Sequence, residues 1–491
     1  MASEPSESPS AEPVGGDPPR PQGERISRAV PTIIAAAFFM EGLDTSIVNT
    51  SLPSMAGSFA VTAPQMSAAI TAYLLSLAVF IPVSGWIADR FGARNVFCTA
   101  VGTFALGSLL CGLAPTLPLL VAARIVQGLG GAMMTPVGRL ILARSFPKHE
   151  LMRAMTFYMI PANLGPTVGP VLGGFITTYI GWQWNFFINL PLGVLGIALA
   201  WRYIRNAPMP PPARFDWRGY VIVACGLAAA QLALENLAQP EIHAQLQMAL
   251  VSAAVLFLGG YGVYASRTEN PVLDFRIFRR RVFFIAVGIG NVLRMATFPV
   301  SFLVALLLQL GFGMNPAEAG ILFAFFTVGA VTMRANVAML ARLIGLRRLL
   351  MTCSLITAAL TTGFVFFTPG TSWYLIAFYL FCFGVMRNAQ HQSVTALSYA
   401  EISDEEMARS TTVAALIQRG GQSIGVGLAA SLLAVFAGGE PIGHEPFRPV
   451  FLVLAAISAS TALGFARLKP EDGWQVSGHR VKPRKIEGGS G

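Results

Sequence analysis

The sequence predicts an all-α integral membrane protein made of two six-helix halves with two extra helices between them. Three observations carry this expectation. Of 491 residues, 54% are hydrophobic and 12% charged, whereas about a quarter are charged in a soluble globular chain. Apolar runs of about 20 residues, enough to cross a bilayer as helix, recur along the chain. The basic residues, finally, cluster in every second segment between those runs, which is the signature of helices threading a membrane back and forth.

About fourteen spans follow in order. The first, 30–56, comes after Arg25 and Arg28, and the second and third, 67–88 and 96–114, are separated by Arg90 and Arg94. Arg144, Lys148 and Arg153 stand between 117–141 and the body of 151–178, and Arg202, Arg205, Arg214 and Arg218 lie at and between the facing ends of 184–204 and 217–238. After 246–266 come Arg267, Arg276, Arg279, Arg280 and Arg281, then the spans 282–310 and 317–340. Arg342, Arg347 and Arg348 lead into 348–367, followed by 372–398, 409–436 and 448–466. The intervening segments near 57–66, 115–118, 179–183, 239–245, 311–316, 368–371 and 437–447 contain no Lys or Arg. By the positive-inside rule both termini are then expected in the cytoplasm, consistent with an even number of spans. The formal charge of +10 is an orientation signal, and no nucleic-acid partner is expected.

The expected domains are a disordered cytoplasmic tail at 1–29, a six-helix bundle at 30–206, a two-helix insertion at 207–268, a second bundle at 269–469 and a cytoplasmic tail at 470–491. The first tail is rich in Pro, Ser and Glu and lacks the apolar core of a signal peptide. The insertion is flanked by the break Pro208-Met209-Pro210-Pro211-Pro212. Cys98, Cys111, Cys225, Cys353 and Cys382 lie inside spans without metal-ligand spacing, so they are expected as small buried hydrophobes and no metal site is assigned.

The two halves repeat each other. Pro64 and Pro316 each open a helix after a loop of the non-basic set, Gly92 and Gly345 each stand in the turn after that helix, and Gly165/Gly169 match Gly421/Gly425 as GxxxG pairs. The offsets from 64 to 316, from 92 to 345 and from 165 to 421 are 252, 253 and 256 residues. Parallel repeats of this kind share a site at the membrane midplane in transporters.

The first span carries two carboxylates, Glu41 and Asp44. Counted from Val30 at ~1.5 Å per residue, they lie about 16 and 21 Å into a core roughly 30 Å thick. Spaced i, i+3 they share one helix face. Holding a charge at that depth costs at least about 2.5 kcal/mol, so each acid must be paired, wet or protonated, and a group caught between those states can carry protons.

After the second span comes Gly85-Trp86-Ile87-Ala88-Asp89-Arg90-Phe91-Gly92-Ala93-Arg94. Gly92 permits a tight turn, and Asp89, Arg90 and Arg94 put charges at the membrane edge, able to pair with a neighbouring helix and release it. With this pattern the chain resembles the major facilitator superfamily, and more narrowly its fourteen-helix drug:proton antiporter branch, over about residues 30–467. Leu43-Asp44-Thr45-Ser46-Ile47-Val48-Asn49-Thr50-Ser51-Leu52-Pro53 is similar to the branch's first-helix motif. Arg124-Ile125-Val126-Gln127-Gly128-Leu129-Gly130-Gly131-Ala132 is similar to the fourth-helix motif, whose Arg is implicated in proton transfer. Gly165-Pro166-Thr167-Val168-Gly169-Pro170-Val171-Leu172-Gly173-Gly174 resembles the antiporter signature of the fifth helix. One departure is that Arg342-Leu343 stands in the second half where Asp89-Arg90 stands in the first.

The resemblance implies a secondary transporter that exports drugs or other amphipathic organic compounds while protons enter, in a bacterial inner membrane and with no cofactor beyond the proton motive force. A small organic substrate, protons and membrane lipid are the implied partners, with room for a periplasmic adaptor. The glycines of the fifth-helix motif (Gly165, Gly169, Gly173, Gly174) remove side chains from one face so that another backbone can approach, while Pro166 and Pro170 bend the helix. That face is expected to seal and pivot between two openings.

Counted from the outer face, Arg124 lies at about 12 Å and Glu41 and Asp44 at about 14 and 9 Å, so the three are level and form the candidate proton-coupling group. A permanently paired structural triad is the other reading of the same residues. The second half embeds Arg294, Arg334, Arg387 and Arg419 with few acids to neutralise them. Arg334 is expected near the inner edge, and Glu235 near an outer helix end where it reaches water. Asn49, Gln127, Arg294 and Arg387 are the expected substrate contacts, and an anionic, zwitterionic or amphipathic substrate is favoured over a simple lipophilic cation. His391 is a minor candidate for titration.

No G-x-x-x-x-G-K-[ST] stretch exists, the only lysines being Lys148, Lys469, Lys482 and Lys485, which disfavours an ATP-driven pump. An importer or an exporter of a specific organic anion or siderophore is the near alternative. An intramembrane enzyme is the alternative of a different class, but no H-E-x-x-H or G-x-S-x-G context supports one, and no catalytic residue is assigned.

Overall fold

The computed structural model describes residues 29–146, 148–204, 215–236, 244–269, 271–402, 404–439 and 442–477. Of the predicted tails at 1–29 and 470–491, residues 1–28 and 478–491 lie outside the described residues, as does the break at 208–212.

The described chain is helical throughout. Among these residues twelve helices are long and apolar enough to cross a membrane. The first half runs through α1 (Ala29–Ser58), α2 (Ala63–Phe91), α3 (Ala93–Leu113), α4 (Leu117–Ser145), α5 (Lys148–Tyr179) and α6 (Trp184–Tyr203). The pair α7 (Trp217–Asn236) and α8 (Ala244–Arg267) follows. The second half comprises α9 (Arg281–Gly311), α10 (Pro316–Ile344), α11 (Leu346–Phe366), α12 (Trp373–Tyr399), α13 (Asp404–Ala437) and α14 (Phe447–Phe465). Helices α5 and α12 are not among the twelve, although they have 32 and 27 residues. In α12 the hydropathy is broken by Arg387, Asn388, Gln390 and His391, which line a cavity.

The repeat seen in the sequence is a repeat of local chemistry. Thr62 caps α2 and Gln65 reciprocates, while Asn315 caps α10 and Glu318 reciprocates, so both helices start on a capping box with Pro inside the first turn. Each ends at a glycine with positive φ, Gly92 at 95° and Gly345 at 79°, where a side chain would strain the backbone. Packing repeats as well. Helix α1 lies on α5 as α9 lies on α13, α2 on α4 as α10 on α12, and α3 on α6 as α11 on α14. A Cβ on Gly165 would strike the backbone of Phe39 and Leu43, and one on Gly425 would meet the Met295 carbonyl at 2.6 Å. Backbone-close packing is thus built into both α1/α5 and α9/α13.

Two seams join the halves, again in equivalent positions: α5 against α10, and α2 against α13. The inserted helix α7 lies along the second seam and touches both of its members. Gln231 on α7 accepts from Ser423 Oγ on α13 at 2.8 Å, and Glu235 on α7 accepts from Thr71 on α2. Gln231 Nε2 also donates to Glu235 at 3.1 Å. Glu235 is half-buried: its carboxylate ties α7 to α2, and Gln231 ties α7 to α13. The start of the predicted C-terminal tail is held too, by the ion pair of Asp472 with Arg281 at 3.0 Å.

Of the five cysteines, Cys98, Cys111 and Cys353 are buried, Cys382 is half-buried and Cys225 is exposed on the helix surface. Among the described residues no cluster of His, Cys, Asp and Glu could hold a metal ion.

Candidate functional site

Glu41 and Asp44 stand one turn apart on α1, yet they meet different partners. Asp44 is fully buried and Arg124 is 1% exposed, and the two form an ion pair at 2.7 Å. Gln127 Nε2 donates to the other Asp44 oxygen at 2.8 Å and to Ser108 Oγ at 2.7 Å, and Asn189 Nδ2 approaches Asp44 Oδ1 at 3.4 Å. The Arg124 guanidinium in turn donates to the Ala69 carbonyl at 3.0 Å and to Gln127 Oε1 at 2.5 Å, and lies over the Tyr73 ring at 4.4 Å. This is a dry, closely satisfied pair linking α1, α2, α3, α4 and α6. Removing one member would strand a charge, at about 3–5 kcal/mol.

Glu41 is 7% exposed and faces the other half. Arg419 Nη2 on α13 donates to its Oε1 at 3.0 Å, and Thr135 Oγ1 on α4 donates to its Oε2 at 2.5 Å. The expected triad is thus two pairs: among the described residues no ion pair joins Glu41 to Arg124. The shortage of acids for the second half's cations also needs correction, because the first half supplies one. Arg419 is legible in the sequence as an embedded cation, and its depth of about 15 Å from the start of the span 409–436 matches Glu41's about 16 Å on the first span. Thr135, Ser108 and Asn189 carried no signal that separates them from ordinary polar residues of a bundle interior.

Between the halves lies a cavity of two lobes. The larger, about 260 Å³, is lined by α5, α9, α10, α12 and α13 and carries Arg294, Arg334, Arg387 and His391. The smaller, about 210 Å³, is lined from α1 by Thr45, Ser46 and Asn49 and from the second half by Phe298, Phe302 and Phe323. Pro166, Phe298, Phe326, Thr327 and Arg387 belong to both lobes, so they are continuous. Of the four expected substrate contacts, Asn49, Arg294 and Arg387 line this cavity. Gln127 does not; it is locked in the Asp44–Arg124 network with no exposure. Arg334 lines the cavity wall as well, and His391 lies 3.3 Å from Gln418 Nε2.

The cavity is closed toward the non-basic end. The Pro316 carbonyl packs where a Cβ of Gly174 would stand, and the Pro170 carbonyl lies 2.5 Å from where a Cβ of Gly320 would stand. Ala317 N donates to Thr178 Oγ1 at 3.1 Å, and Gln309 Nε2 on α9 donates to the Thr50 carbonyl on α1 at 3.0 Å.

The model of the Major Facilitator Superfamily matches residues 34–308 and 287–488. The chain belongs to this superfamily. Curated relatives include proteins named "Putative multidrug resistance protein MdtD": that of Pectobacterium atrosepticum is 35% identical over 89% of this chain and 95% of its own length, and that of Klebsiella pneumoniae 35% over 93% and 97%. Solved structures of the same fold include a D-xylose–proton symporter, with a TM-score of 0.64 and 15% identity over 91% of this chain and 98% of the other. The POT family transporter PepTSo has a TM-score of 0.66 at 14% identity over 89% and 97%. This major facilitator protein is a transporter and not an enzyme, a multi-pass protein of the bacterial inner membrane.

In this superfamily member the loop after α2 holds its first charge on its own half. Arg144 on α4 donates to Asp89 at 2.8 Å, with both groups about a third exposed. Arg94 stacks on Trp201 of α6 at 4.5 Å, while Arg90 is exposed. The fifth-helix residues split by neighbour: Gly165, Gly169 and Gly173 receive α1 at Leu43, Ser46 and Ile47, whereas Gly174 and the Pro170 carbonyl meet α10. Pro166 faces the cavity. One helix therefore touches the fixed wall of its own half, the opposite half and the enclosed space.

Proposed function

We propose that the chain is a proton-coupled secondary transporter that exports amphipathic organic compounds by alternating access, a multidrug-type antiporter. The ion pair of Glu41 with Arg419 carries this reading, because it joins an acid of one half, next in sequence to the cavity-lining Gly42, to a cation of the other. As a carboxylate, Glu41 holds α13 and α4 together; once protonated it loses most of its attraction for Arg419, and the halves are released to rock. Asp44 and Arg124, dry and paired within one half, keep α1, α4 and α6 moving as a body. The exposed Asp89–Arg144 pair is worth at most about 1 kcal/mol, so it can break and reform within each cycle.

The reading includes fourteen spans with both termini cytoplasmic, rigid halves at 30–206 and 269–469, and the insertion at 207–268 as a peripheral element. The relatives named for multidrug resistance support the substrate breadth, and the cavity's apolar lobe suits amphipathic molecules. The driving force is the proton motive force, whose electrical part supplies about 2.3 kcal/mol per charge per 100 mV.

The test is reconstitution of the full chain in proteoliposomes with a trapped pH-sensitive dye and an imposed pH gradient. Adding amphipathic dyes of either charge should speed gradient collapse with wild-type protein and not with Glu41→Gln. Dye transport at an unchanged rate with no pH or voltage difference would refute the proposal.

A further inference from the structure

The cavity holds three guanidiniums and no carboxylate. Arg294, Arg334 and Arg387 line the larger lobe beside His391, and no Asp or Glu lines either lobe. The protein treats its other embedded cations differently: Arg124 is met by Asp44 and Arg419 by Glu41. Among the described residues the three cavity arginines have no such partner. Arg294 Nη2 donates to Thr395 Oγ1 at 3.2 Å and Arg387 Nη1 to Ser301 Oγ at 2.9 Å. The Nε atoms of Arg294 and Arg334 are buried without any hydrogen bond, and Arg294 as a whole is 7% exposed.

Three like charges lining one enclosed cavity repel each other and are poorly solvated, so an anion is the occupant that relieves the site. A guanidinium presents a planar fork that fits the two oxygens of a carboxylate. Arg387 also marks where such a ligand would turn apolar. Its guanidinium stands 5.6 Å from the Phe298 ring and 5.3 Å from the Phe326 ring, and both rings continue into the smaller lobe with Phe302 and Phe323.

We propose that the cavity is a binding site for amphipathic organic acids, with the carboxylate between Arg294 and Arg387 and the hydrocarbon or aromatic body in the phenylalanine lobe. This rests on the reading of the chain as an organic-compound exporter and names the class of compound.

Equilibrium binding tests it without any gradient, using the full chain in lipid nanodiscs and three probes of one shape: naphthalene-2-carboxylate, naphthalene-2-carboxamide and 2-naphthyltrimethylammonium. The carboxylate should bind about tenfold or more tightly than the other two. Arg294→Gln or Arg387→Gln should weaken the carboxylate about tenfold more than the carboxamide and so remove that preference, and the Lys variants should retain part of it. If the ammonium binds best, if the three bind alike or if none binds, the proposal is overturned. Should the Gln variants fail to fold, the wild-type ranking decides alone. No proton moves in this measurement, so a failure of proton coupling leaves it untouched. Conversely, coupled export of cations alone would sink the acid site and leave the exporter standing.

Discussion

Glu41 and Arg419 meet at 3.0 Å across the boundary between two repeats of the same chain. In sequence they are an acid in the first helix of one half and a cation in the fifth helix of the other. In space they form an ion pair between the two halves. Glu41 is also held by Thr135, so one carboxylate reads the position of both halves.

If that link couples the halves, its two ends act as a unit. Glu41→Gln and Arg419→Gln should each lower the thermal unfolding temperature of the protein in nanodiscs, and the double variant should lose less than the sum. The expected coupling is about 0.5–3 kcal/mol. Additive losses would show that the contact joins nothing.

The Asp44–Arg124 pair should behave as architecture. Arg124→Ala leaves a buried carboxylate uncompensated and should cost about 3–5 kcal/mol. Arg124→Lys should rescue little, because the guanidinium donates through Nε to Ala69 and through Nη1 to Asp44 and Gln127. Thermal unfolding of the purified variants checks both statements, and a fully stable Lys variant would contradict the second.

Gly174 packs against the Pro316 carbonyl at the closed end of the cavity. Gly174→Val forces α5 and α10 apart there, an overpacking of about 1–3 kcal/mol. An Asn49→Cys reporter in that background should then be modified faster by a membrane-impermeant maleimide added from the non-basic side than in the Gly174 parent. Equal rates would mean that this contact does not seal the cavity.

The Asp89–Arg144 pair is solvent-accessible, so Asp89→Asn should change stability by less than about 1 kcal/mol. Its effect should fall on turnover: thermal unfolding stays put while the rate of substrate-driven gradient collapse drops. A loss of stability with normal turnover would make the pair a structural brace instead.

Much of this was legible in the chain. The helix starts at Pro64 and Pro316, the glycine turns at 92 and 345, and the GxxxG pairs are local features, set by a few neighbouring residues, and they survive folding unchanged. The embedded charges were legible as charges but not as pairs. Depth along a helix can be counted, whereas the direction a side chain faces depends on how its helix is rotated against others hundreds of residues away. That is why Glu41 and Arg124 sit level without meeting, why Arg419 lacked an expected partner, and why Gln127 was assigned to the cavity. For the same reason, counting Glu235 to a helix end does not show that α2 lies beside it.

The insertion makes a twofold molecule lopsided. Helix α7 is stitched to α2 through Glu235 and Thr71 and to α13 through Gln231 and Ser423, while among the described residues the inserted pair makes no such hydrogen bonds to the equivalent border of α5 and α10. Opening one flank means dragging or tearing a polar suture carried by a third helix, and opening the other means parting close-packed glycine backbones and the Ala317–Thr178 hydrogen bond. The two sides of the passage therefore yield unequally, and a lipid or solute sidling in from the bilayer would find one door bolted and the other merely shut.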